Sequence, residues 1–172
     1  MKKTKNLTFC AIMVALSVVI LFLCSLTQLL DLTSVLFASV CVFVVGEELK
    51  LKRAVAVYLA TGILAFLLIP SKLVAIEYFL FGIYPAIKPI IEKTGRAVSF
   101  ILKGAYIIGA TLADVAIIKF FFPQEIEKDW FIILIAVVSV LWLILYDIAY
   151  TRLSAYYHGK LRYQLRIDKF FS

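Results

Sequence analysis

From Leu7 to Leu30 the chain runs through 24 consecutive positions without a charged side chain. A helix crossing a hydrocarbon core about 30 Å thick needs about 20 such residues, and soluble helices rarely need so many in a row. The run follows the basic opening MKKTK, which invites comparison with a secretion signal. It is too long for a signal's apolar region, and no small-x-small cleavage site follows it. Phe22 and Leu23, just before Cys24, are too bulky for a lipoprotein processing site. The stretch therefore reads as a retained first membrane span.

Charged residues divide the chain into six apolar segments of this kind, at about 7–30, 32–46, 54–70, 73–87, 97–121 and 130–151. The composition agrees: 64% hydrophobic against 17% charged lies far from that of a soluble domain. A span with its turn takes roughly 25 residues, so six of them consume a chain of 172. The expected fold class is all-α integral membrane, a compact bundle of six transmembrane helices over residues 1–151. A basic and aromatic tail follows over 152–172. The fourth segment ends in YPAIKPIIEK, where Pro85 and Pro89 should kink or stop the helix at the membrane surface.

The cations give the orientation. With the N-terminus inside, the inner set is Lys2, Lys3, Lys5, Lys50, Lys52, Arg53, Lys88, Lys93, Arg96, Arg152, Lys160, Arg162, Arg166 and Lys169. The outer set is only Lys72, Lys119 and Lys128, with Lys103 inside a span. Every connection thus obeys the positive-inside rule, which predicts that both termini are cytoplasmic. The net charge of +7 is accounted for by topology and contact with anionic lipid, not by a nucleic-acid footprint. The tail mixes basic and aromatic residues as an interfacial helix or a solvated extension does.

Ionisable residues within spans call for a partner or an aqueous cavity. Lys103 and Asp147 lie at similar depth in the inner halves of segments five and six, with opposite signs, and are expected to form a structural ion pair. Glu77 and Asp114 lie in the outer halves, where Lys72 and Lys119 can only reach toward them from the ends. They mark a candidate polar pocket open to the outside, with Tyr78, Tyr106 and Trp130 as aromatic walls. The alternative reading is that each carboxylate merely meets outer water or a backbone group.

Catalytic signatures are absent. GEELKLKR approaches the paired-glutamate motif of intramembrane prenyl-protein peptidases, but Lys52 stands where those enzymes carry arginine. His158 is the single histidine, so neither the histidine ligands such enzymes need nor a Ser/His pair can be assembled. Cys10, Cys24 and Cys41 are odd in number and embedded in apolar sequence, as buried small residues are. No phosphate-binding loop, internal repeat or pair of broken helices is present, so the chain reads as a non-enzyme without cofactor or metal that works with partners.

The stretch LTFCAIMVALSVVI places Ala11 and Ala15 one turn apart, a smooth stripe that lets another helix approach closely in lipid. That stripe behind a short basic start, six spans in under 200 residues and both ends inside resemble the substrate-binding S components of energy-coupling factor (ECF) transporters. The resemblance implies a bacterial plasma-membrane protein that captures a small-molecule substrate from outside. It also implies a transmembrane coupling subunit and ATPases as partners, with Ala11 and Ala15 contacting the coupling subunit. The outward pocket of the family is built from later helices and outer loops, the regions of Glu77, Asp114, Tyr78 and Trp130; no motif names the solute. The alternative is a noncatalytic multi-span scaffold, similar in architecture to bacterial shape-determining proteins, which would tolerate neutralisation of the outward carboxylates.

Overall fold

A computed structural model describes residues 2–26, 31–121 and 129–161. Among them are α1 (Lys2–Ser25), α2 (Asp31–Leu49), α3 (Leu51–Leu68), α4 (Lys72–Phe81), α5 (Tyr84–Lys93), α6 (Arg96–Phe121) and α7 (Asp129–Tyr156), followed by a π-helical turn at Tyr157–Leu161. No strand occurs among the described residues. Six stretches of the described residues are long and apolar enough to cross a membrane: Thr4–Ser25, Leu32–Leu49, Leu51–Leu68, Lys72–Lys93, Arg96–Phe120 and Ile132–Lys160. Helices apolar on all sides satisfy every backbone group internally, which is the requirement a bilayer imposes.

The chain divides into two compact units. One holds α1 to α4, α5 as far as Pro89, and the π-helical turn; the other holds α5 from Ile90, α6, and α7 as far as Ala155.

In the first unit α1, α2 and α3 pack against one another, and α4 lies on α2 and α3. Small residues make this possible. Ser17 on α1 is fully buried and its hydroxyl donates to the Ala38 carbonyl of α2 at 3.0 Å. A methyl group at Gly62 would strike the Phe79 ring of α4. Around these close approaches Leu21, Val35, Val42, Val45, Val57 and Val74 are buried. Such packing and cross-helix bonds are the interactions that would hold these apolar helices together in lipid, where apolar burial gives helices little reason to associate. Tyr58 adds to them by donating to the Phe79 carbonyl at 2.6 Å and stacking on Tyr78, with ring centroids 5.7 Å apart.

A single residue, Lys50, joins α2 to α3 with φ 74° and ψ 161°, a conformation that side chains disfavour. Its carbonyl accepts from the N–H groups of Arg53 and Ala54 and so starts α3. At the far end of α3, the Lys72 ammonium donates to the carbonyls of Phe66 at 2.7 Å and Ile69 at 3.1 Å. The cation thus serves the orphan carbonyls of a helix end instead of reaching toward Glu77.

The fourth span breaks earlier than its prolines suggest. α4 stops at Phe81, and Gly82 closes the turn by donating to the Tyr78 carbonyl at 2.8 Å. Pro85 then sits in the first turn of α5, where its missing N–H costs nothing, and the helix continues through Pro89. Similarly, α2 runs past position 46 to include Glu47 and Glu48, and α7 runs five residues past 151. The start of the expected tail is therefore helix, while residues 162–172 lie outside the described residues.

The π-helical turn belongs to the first unit. Tyr157 is buried, donates to Glu48 Oε1 at 2.9 Å and meets the Phe43 ring edge-on at 5.9 Å. His158 Nε2 lies 3.3 Å from Glu47 Oε2. The glutamate pair of GEELKLKR is thus an anchor for the turn beyond α7.

Candidate functional site

Among the described residues, three sets of side chains offer a surface or polar groups that function could use. The first lies on α1 and α3 of the first unit. Ala11 and Ala15 are exposed on α1, and Ala56 and Ala60 repeat the one-turn spacing on α3. The four alanines line an apolar groove of about 480 Å³, bordered by Leu7, Val14 and Leu64. Cys10 also faces it. Two small-residue stripes side by side form a floor on which a further helix can lie with its backbone close. The α3 stripe was missed in the sequence reading, although the same small-xxx-small search applied to AVAVYLA would have found it.

The second set comprises Glu77 and Asp114, the carboxylates expected in the outer halves of their segments, and the aromatic residues expected as walls. Glu77 and Tyr78 are adjacent on α4, 8% and 0% exposed, in the first unit. Asp114 on α6 is 5% exposed and belongs to the second unit. There the Ser139 hydroxyl of α7 donates to Asp114 Oδ2 at 2.6 Å, a bond between the two helices. Thr111, one turn before Asp114, has a buried Oγ1 with no hydrogen-bond partner among the described residues. Trp130, near the start of α7, is 59% exposed. Tyr106 on α6 is partly exposed. Ser139 and Thr111 escaped the sequence reading because a hydroxyl leaves almost no mark on a hydropathy pattern.

The third set lies in the second unit, at the Arg96 end of α6. Lys103 Nζ donates to Asp147 Oδ2 of α7 at 3.1 Å and to Glu92 Oε1 of α5 at 2.8 Å. The structure thus joins Lys103 and Asp147 and adds Glu92. These three groups, with Arg96, Ser99 and Phe100, line a cleft of about 370 Å³. The Lys103–Asp147 and Ser139–Asp114 contacts also give α6 and α7 an antiparallel register.

No constellation of three or more His, Cys, Asp or Glu side chains able to hold a metal occurs among the described residues. No family model, curated protein or solved structure matches this chain.

Proposed function

We propose that the chain is the solute-binding membrane subunit of an ATP-driven importer of the ECF type, seated in a bacterial plasma membrane with both termini inside. The observation that supports it is the paired-alanine groove: Ala11 and Ala15 stand exposed beside Ala56 and Ala60 over an apolar floor. Exposed small residues on two adjacent helices leave room for a partner helix to approach more closely than lipid tails require. In this reading the occupant is the transmembrane coupling subunit, whose ATPases supply the energy. The solute binds without covalent change; Glu77, with Tyr78 beside it on α4, is the candidate anchor of the first unit, and Asp114 is that of the second.

A scaffold that gathers partners without binding a solute is the second reading. It is favoured by the burial of Glu77 and Asp114, each less than 10% exposed, which suits a structural role. Purification in mild detergent, followed by mass spectrometry of co-purifying proteins and small molecules, separates the two. The transport reading expects a coupling subunit with ATPases and a retained solute, and loss of the coupling subunit in the Ala11→Trp/Ala15→Trp variant. Recovery of wall-assembly proteins, with neither solute nor ATPases, would overturn it.

A further inference from the structure

The cleft at the start of α6 offers hydrogen-bond donors that the fold itself does not use. Arg96, Ser99 and Lys103 follow at intervals of three and four residues, so they share one face of the helix over a rise of about 10 Å. Arg96 is exposed and makes no hydrogen bond or ion pair among the described residues, which leaves its whole guanidinium fork available. Ser99 is 9% exposed and lines the cleft, and its hydroxyl has no partner among the described residues. Lys103 spends two N–H groups on Glu92 and Asp147, which leaves its third. The first backbone N–H groups of α6 add the positive end of a 26-residue helix.

Charge placement narrows what fits. Lys103 is already offset by two carboxylates, so an anion's charge is met at the Arg96 and helix end. A hydroxyl group on the same ligand finds acceptors in Glu92 and Asp147. Phe100, 80% exposed and also lining the cleft, offers an apolar wall. Arg96 opens the stretch Arg96–Phe120, which is long and apolar enough to cross a membrane, so in a bilayer it stands at the level of the headgroups in either orientation.

We infer that this cleft binds a hydroxylated phosphate ester: the phosphate lies between Arg96, Ser99 and the N-terminus of α6, and the ligand's hydroxyls donate to Glu92 and Asp147. A glycerophospholipid headgroup and a soluble glycerol phosphate share this chemistry, and two arms of one experiment tell them apart.

The full-length chain, delipidated in mild detergent, is titrated with phosphatidylglycerol or phosphatidylcholine, and bound lipid is counted by native mass spectrometry. In the second arm sn-glycerol 3-phosphate alone is titrated by calorimetry. Arg96→Ala removes an arginine that holds no part of the fold, while Lys93→Ala, also exposed, removes the same charge three residues away and controls for nonspecific attraction. Phosphatidylglycerol is expected to bind more tightly than phosphatidylcholine. Arg96→Ala should weaken it about tenfold, the scale of one charge-assisted contact, and Ser99→Ala about threefold. Lys93→Ala should change it less than twofold. Arg96-dependent binding of glycerol phosphate without lipid would support the site and assign it to a soluble ester. Equal binding of the two lipids, or equal loss in Arg96→Ala and Lys93→Ala, with no Arg96-dependent binding of glycerol phosphate, would overturn it.

Discussion

A carboxylate buried on an apolar helix needs a donor, and Asp114 of α6, 5% exposed, is served by one. Its one bond among the described residues comes from Ser139, at 2.6 Å across two helices. Ser139→Ala should therefore cost about 1–3 kcal/mol, the range for leaving a buried acceptor unsatisfied, and lower the thermal midpoint in detergent. Asp114→Asn, which keeps a hydrogen-bonding group there, should cost less than Asp114→Leu. Gly82 is a second residue-scale constraint: a Cβ there would lie 2.6 Å from the Tyr78 carbonyl oxygen and 2.9 Å from its ring. Gly82→Ala should destabilise by about 1–3 kcal/mol, as overpacking does, whereas Gly104→Ala, with open space around it, should be neutral or stabilising.

Between elements, the informative contacts are the connections and cross-helix pairs. Lys50 holds a glycine-like conformation in the one-residue link from α2 to α3. Lys50→Gly removes that strain and should stabilise the fold by about 1–2 kcal/mol, read as a higher thermal midpoint in melting curves. The Lys103 cluster is read by a double-mutant cycle. Lys103→Met leaves Glu92 and Asp147 facing each other without their shared cation, so it should be worse than the Lys103→Met/Asp147→Leu double variant. A double variant no better than the worse single one would show that the pair contributes no coupling. Depth and sign along the sequence suffice to set Lys103 against Asp147. They say nothing of Glu92, which arrives from a short proline-containing helix whose course follows from the break at Gly82.

For the whole molecule, the distribution of cations makes a labelling prediction. In a variant without its three cysteines, Thr94→Cys should react with a membrane-impermeant maleimide only after permeabilisation, and Pro70→Cys in intact cells. Both positions are exposed, so accessibility within the protein does not confound the reading. Labelling of Thr94→Cys in intact cells would reverse the orientation and, with it, the side from which a solute arrives.

Six apolar stretches and their approximate limits were legible in the amino-acid order alone, because the length of a charge-free run is a property of consecutive residues. The stripe of Ala11 and Ala15 was legible for the same reason, being a local spacing on one helix. That Ala56 and Ala60 stand beside it, that Lys72 caps α3, that Ser139 serves Asp114 and that Glu47 and Glu48 hold the turn beyond α7 were decided only by tertiary structure. Each joins positions far apart in the chain or across a break, and a hydroxyl, a small side chain or a helix-end carbonyl carries no periodic signature of the partner it meets.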